Sequence, residues 1–203
     1  MTVDLSAPLS SFMDRLDAVA LRVVARAGAE LTGRQVARLA GTRTPANIRL
    51  SLRRLVDIGL VASAPAPHAT MYSANRSHIL WPAVEIAMNA LNRSIASFAD
   101  ANGPEGVTVV LYGSVARGDA TTMSDIDLLV VFLDTVTVDD RDEFVTGLRG
   151  SVQLWTGNDT QIYDVTESAL ARQREAGDPI VDCWATDGVV VFGDSVPGLR
   201  TVP

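Results

Sequence analysis

The stretch LYGSVARGDATTMSDIDLLVVF, Leu111 to Phe132, sets two carboxylates, Asp125 and Asp127, at the head of an apolar strand. Residues i and i+2 of a strand share one face, so the two carboxylates sit side by side. Like charges that close repel, desolvation adds to the cost, and a divalent cation is the economical compensation. Upstream, a first apolar strand breaks at Gly113-Ser114. Gly113 lets the backbone approach a ligand with no side chain in the way, and Ser114 offers a hydroxyl and an amide at the start of a helical turn, where amides point at an anion such as phosphate. The ten residues between Ser114 and Asp125 make room for a short helix and a return loop. Phosphate and metal ligands then converge at the same ends of neighbouring strands, with Arg117 placed to add positive charge. A metal on Asp125 and Asp127 would bridge to triphosphate oxygens and align the α-phosphate for in-line attack.

The elements expected to hold these residues are a strand from Val107 to Tyr112, a loop and short helix from Gly113, and a strand from Ile126 to Phe132. An acidic loop over Asp134 to Asp142 follows, then a helix to Leu148 and strands near Val152 to Trp155 and Thr160 to Val165. Helices from Glu167 to Cys183 and a strand from Gly188 to Phe192 close the chain. This is an α+β sheet domain.

The ordered set GSVARGDATTMSDIDLLVV between two apolar strands closely resembles the signature of the nucleotidyltransferase superfamily that includes DNA polymerase β, in particular its small bacterial members. The resemblance covers about Val107 to Phe192. It implies transfer of a nucleoside monophosphate from an NTP, ATP first, to a hydroxyl of a protein or small molecule, with Mg²⁺ or Mn²⁺ on Asp125 and Asp127. Nucleotide contacts then fall on Gly113, Ser114, Arg117 and Ser124. Related minimal nucleotidyltransferases act as antitoxins that add AMP to a partner toxin. Active members add a third carboxylate from a later strand, which here reads TQIYDVT. If that strand is regular, Gln161 and Tyr163 face one side and Ile162 and Asp164 the other. Asp164 is the candidate third catalytic carboxylate if it turns inward. Gln161 facing inward leaves a nucleotide-binding sensor that transfers little, in a transcriptional regulator.

Ahead of this lies LTGRQVARLAGTRTPANIRLSLRRLVDIGLV. Thr32 is placed to cap one helix, Gly41 to end it, and Thr44-Pro45 to open a second. Ile48, Leu52 and Leu55 form the inner stripe of that second helix, and LVASAP and ATMYSANR read as a strand pair. The order resembles a winged helix-turn-helix of bacterial regulators, preceded by a helix over about Leu9 to Ala27. That resemblance implies DNA contacts from Arg43, Asn47, Arg49, Arg53 and Arg54 on the second helix and its approach. Leu50 lies opposite the core stripe and marks a dimer or interdomain contact. Apolar residues from Leu80 to Phe98 recur at helical spacing, predicting one long helix over about Ser77 to Ala101 that links two modules or serves a homodimer. The expected layout is residues 1–76 as the winged helix-turn-helix, 77–105 as the linking helix and 106–203 as the nucleotidyltransferase sheet domain.

Charge divides the same way. From Leu31 to Arg76 seven arginines face one acid, giving +6; from Ser77 onward seven arginines face nineteen acids, giving -12. A basic module is joined to an acidic one. At 203 residues, with 47% apolar and 20% charged residues, the chain is of ordinary globular composition. The apolar run Leu128 to Leu133 is too short to span a bilayer and the first twenty residues carry no signal-type core, so the expected location is cytoplasmic. One cysteine and two histidines exclude a disulfide framework and a zinc site of the usual kind. Cys183 is expected in the core.

Overall fold

The computed structural model describes residues 2–41, 45–196 and 200–201. The chain forms two compact units, one from residues 7–89 and one from residues 1–6 together with 90–203.

The first unit opens with a 3-10 turn, Pro8–Ser11, and helix α1, Arg15–Arg26, whose N-cap Asp14 accepts from the amides of Leu16 and Asp17. A two-residue strand β1, Leu31–Thr32, leads into α2, Gly33–Leu39. Thr32 and Gln35 close a reciprocal capping box there, satisfying amides that the helix itself leaves free. Helix α3, Pro45–Asp57, precedes the strand pair β2, Val61–Ala66, and β3, Ala69–Ala74. These make a three-stranded antiparallel sheet in the order β1-β3-β2. Ile48, Leu52 and Leu55 are buried in a core with Leu21, Val24 and Val36, as the stripe on α3 requires. Thr44 and Arg43 fall outside the described residues.

One arginine expected on the outer face of α3 instead joins two helices of this unit. Ser51, next to the stripe, is buried, and the Arg54 guanidinium reaches back to α1, donating from Nε and Nη2 to the Asp17 carboxylate at 2.9 and 2.5 Å. Arg54 therefore ties α3 to α1 instead of joining Arg49 and Arg53 on the outer face. Burial by itself would raise the Asp17 carboxyl; the bonds from Arg54 and Ser51 and the attraction of Arg54 outweigh it and hold Asp17 below the usual carboxylate range. A carboxylate lowered by folding stabilises the fold above its unfolded pKa, and that contribution disappears as pH falls through the folded value. Asp17→Asn is expected to lower the urea midpoint of the first unit only modestly at neutral pH, because solvent screens the half-exposed Arg54. The gap between variant and wild type should close as the pH is taken below the carboxylate range. A gap that stays constant with pH would remove the ion pair from this account.

The single helix expected over Ser77 to Ala101 is two helices, α4, Trp81–Met88, and α5, Ala90–Asn102. Asn89 interrupts them: its side-chain amide donates to the Glu85 carbonyl, capping α4. The apolar period runs on undisturbed through a one-residue break, so periodicity does not register it. The units divide at this point, α4 going with the first and α5 with the second, with no separate linking segment.

The second unit is a five-stranded sheet in the order β6-β5-β4-β7-β8. Its strands are β4, Thr108–Tyr112; β5, Ile126–Phe132; β6, Thr160–Thr166; β7, Val189–Phe192; and β8, Arg200–Thr201. β4 pairs antiparallel with β5 and β7, and β5 runs parallel to β6. Between β5 and β6 lies α7, Val138–Thr156, a single helix where a shorter helix and a strand near Val152 to Trp155 were expected. Phe144, Val145, Leu148, Val152 and Thr156 are buried at helical spacing, and this packing overrides the strand preference of the residues near Val152. These side chains cover one face of the sheet together with Ile95 and Ala99 of α5. The opposite face is covered by α8, Glu167–Glu175, and α9, Pro179–Asp187, through Leu170 and Trp184. Cys183 is exposed on α9, contrary to expectation. No helix among the described residues is long and apolar enough to cross a membrane.

Candidate nucleotide and metal site

β4 ends at Tyr112, which pairs with Asp127 across the β4–β5 ladder. The chain then turns into the five-residue helix α6, Gly113–Arg117. Gly113 has φ +70°, a conformation side chains rarely adopt, and a Cβ there would stand 3.1 Å from the Asp127 Cγ and closer still to its Oδ2. Only glycine permits this close approach of the turn to the carboxylate. The alternation along β5 puts Ile126, Leu128 and Val130 into the core on the α7 side, so Asp127 faces the α8 and α9 side with Leu129 and Val131. Asp125 lies just before the strand and is exposed; Asp127 is half-buried.

Burial raises the Asp127 carboxyl above its usual range, the Asp125 charge raises it further, and Arg117 partly offsets both. Arg117 is itself anchored: Nη1 donates to Asp187 Oδ2 at 2.5 Å and Nε to Asp119 Oδ2 at 3.2 Å, which holds its own pKa above the usual value. Ser114 is half-buried at the start of α6. The Ser124 hydroxyl accepts from the Thr121 amide at 2.9 Å, bracing the loop that carries Asp125.

The structure does not bring Asp164 to this place. β6 is regular, in register with Asp127 opposite Gln161 and Val130 opposite Asp164. Residues in register share a face, so Gln161 stands beside Asp127 while Asp164 turns to the α7 side. There its carboxylate lies 3.8 Å from the Arg141 guanidinium of α7. Among the described residues no group of three or more His, Cys, Asp and Glu side chains is arranged to hold a metal. The pair Asp125 and Asp127 nevertheless suits a hard divalent cation of the Mg²⁺ kind. Mg²⁺ is usually bound through one or two carboxylates and keeps its other positions for phosphate oxygens and water. The raised Asp127 is the group that a nearby cation would relieve.

Two residues at this site carry no local sequence signal. Asp187 meets Arg117 from seventy residues away, at the end of α9. Asn158, after the helix-ending Gly157, reads as a turn residue but is buried.

Of the residues expected to contact DNA, Asn47, Arg49 and Arg53 are exposed on α3 and Arg54 is paired with Asp17. Arg43 lies outside the described residues.

Residues 93–172 match the family model of the nucleotidyltransferase domain, a span that includes Gly113, Asp125, Asp127 and Gln161. The matched span lies within the second unit. Comparison with curated proteins gives no significant match. Among solved structures, the chain is similar to a toxin-antitoxin crystallised with AMP-PNP, at 24% identity and a TM-score of 0.37 over 51% of this chain and 74% of that one. A mutant of the toxin-antitoxin MntA-HpeT aligns at 21% identity and a TM-score of 0.37, over the same shares of the two chains. TrmBL2, an archaeal chromatin protein with a novel mode of DNA binding, aligns at 16% identity and a TM-score of 0.32 over 90% of this chain and 73% of that one. Likenesses at these scores are remote.

Proposed function

We propose that the second unit transfers a nucleoside monophosphate from an NTP, with ATP the first candidate, to a hydroxyl acceptor, and that the first unit is a winged helix-turn-helix that brings it to DNA. The observation that carries the transferase reading is the close approach of the Gly113 turn to the Asp127 carboxylate, which supports a turn suited to phosphate and a carboxylate suited to a cation acting together. In this reading the Gly113 turn and Ser114 hold triphosphate oxygens, and Arg117, kept in place by Asp187 and Asp119, adds positive charge beside them. Asp125 and Asp127 hold Mg²⁺ or Mn²⁺, which when bound supplies charge neutralisation on the leaving pyrophosphate. The acceptor oxygen forms a bond to the α-phosphorus, the bond to pyrophosphate breaks, and the hydroxyl proton passes to solvent. The acceptor belongs to a protein, as in the antitoxin-like members that the motif resembles, or to a small molecule. A cytoplasmic setting, where NTPs and DNA are both present, goes with this reading.

A second reading is favoured by one observation, the amide of Gln161 beside Asp127 where a third carboxylate would complete the site. The domain then binds nucleotide as the sensor of a DNA-bound regulator. Incubation with α-labelled ATP, Mg²⁺ and a lysate of the source organism separates the two. A labelled acceptor supports transfer, whereas nucleotide that is retained and released intact supports sensing.

Support for the DNA module comes from the basic stretch Leu31 to Arg76 and the exposed Asn47, Arg49 and Arg53 on α3, with Leu50, 51% exposed beside them, open to a second copy. Binding should fall steeply with salt, because it rests on phosphate neutralisation against a net charge of -7. Replacing Arg49 and Arg53 by Ala should weaken promoter binding and lower the slope of log K against log salt by about 2. Gel-shift titrations that leave both unchanged would withdraw α3 from the DNA.

A further inference from the structure

We infer that Asn158 is a positioning residue of the carboxylate site: its buried amide fixes the loop that presents Asp125. The inference rests on the metal-site reading above and extends it to a residue that no motif includes. Asn158 is 2% exposed. Its Nδ2 donates to two carbonyls of one loop, Ser124 at 3.1 Å and Thr122 at 3.4 Å. Its Oδ1 accepts from the Val3 amide at 3.3 Å. The next residue continues the clamp, the Asp159 carbonyl accepting from the Ile126 amide at 2.8 Å. Asp125 is thus held from both sides, through Ser124 before it and Ile126 after it, by residues 158 and 159.

Asn158 is itself fixed by the end of α7. Gly157 caps the helix in the left-handed conformation, and the Asn158 amide donates to Thr156 Oγ1 at 3.2 Å, while that hydroxyl donates to the Val152 carbonyl at 2.8 Å. Within the loop, Thr121 and Ser124 brace each other by the Ser124 hydroxyl on the Thr121 amide and the Ser124 amide on the Thr121 carbonyl. The loop is therefore a preformed turn whose body, ahead of Asp125, is tied down by the Asn158 side-chain amide, while the Ile126–Asp159 backbone bond holds the chain after it. Asp125 is exposed and has no strand pairing to hold it. Its position relative to Asp127, which the ladder does hold, depends on that attachment. Residues that orient metal ligands from behind typically change metal affinity by about 10- to 100-fold when removed.

The test is calorimetric titration of Mn²⁺ into the full chain with AMP-PNP present, for wild type, Asn158→Ala and Ile95→Ala, each with its urea midpoint. Ile95 is fully buried in α5, in the core of the same unit and outside the hydrogen-bond chain that fixes Asn158; its truncation controls for loss of stability alone. Asn158→Ala is expected to weaken Mn²⁺ by about tenfold or more, and Ile95→Ala by less than twofold at a comparable loss of stability. Equal Mn²⁺ affinity in Asn158→Ala and wild type overturns the inference and leaves the metal site standing. No Mn²⁺ binding by wild type instead overturns the metal-site reading on which it rests. Should Asn158→Ala not fold, the wild-type protein gives a second readout. The side-chain amide resonances of Asn158 should shift with the half-saturation of the Asp125 backbone amide on titration with Mg²⁺ and AMP-PNP. A titration that saturates the Asp125 amide and leaves Asn158 unmoved overturns the inference.

Discussion

Asp125→Asn is expected to reduce Mg²⁺-dependent NTP affinity by tenfold or more, at least about 1.4 kcal/mol, with the fold intact. The substitution keeps the shape of the side chain and removes one charge and one ligand oxygen. Asp125 is exposed and lies ahead of the β5 ladder, so no core contact depends on it. Asp127→Asn should have a similar effect on binding for a second reason as well. The raised carboxyl of Asp127 reflects burial first and then the Asp125 charge, and a cation held beside it would offset both. Calorimetry with ATP in Mg²⁺ buffer checks both variants. Unchanged affinity in either would remove that carboxylate from the metal site.

The second large effect belongs to Gln161. Its backbone is already in register with Asp127 on the sheet face of the site, so Gln161→Asp places a carboxylate beside the pair without moving the chain. A positioned general base typically contributes about 10²- to 10⁴-fold to proton transfer in such reactions. Labelled-nucleotide transfer by Gln161→Asp should therefore exceed that of wild type by about 10², with ATP affinity little changed. Asp164→Asn should leave transfer within about twofold, because that carboxylate serves Arg141 on the other face of β6. The reverse pattern, a silent Gln161→Asp and a crippled Asp164→Asn, would mean that β6 shifts register when nucleotide binds.

The geometry of the candidate site was legible in the sequence wherever it is local. That Gly113, Asp125 and Asp127 come together was readable because a glycine turn and an i, i+2 carboxylate pair each have a meaning within a few residues, and the ladder needs only to bring Tyr112 opposite Asp127. The Thr32 cap was readable for the same reason. What was not legible depends on distant partners. Arg54 looks like its neighbours Arg49 and Arg53 in sequence, and only the approach of Asp17, thirty-seven residues away, gives it a different task. Alternation gave Gln161 and Asp164 opposite faces, but which face the site occupies is set by where α7 and α9 pack. The break at Asn89 and the unbroken α7 failed as readings because the apolar period survives a one-residue interruption, while strand preference near Val152 yields to packing on the sheet. Asn158 was invisible, since a Gly-Asn pair after a helix normally means a turn.

Titration of ATP into the wild-type chain, once with Mg²⁺ and once with EDTA in place of the metal, asks whether the carboxylate pair holds a cation against the nucleotide. Saturable binding is expected with Mg²⁺, lost with EDTA and restored when Mn²⁺ is added. Binding of equal strength with EDTA, or no binding in the presence of either metal, would contradict a site in which Asp125 and Asp127 hold a cation against the triphosphate.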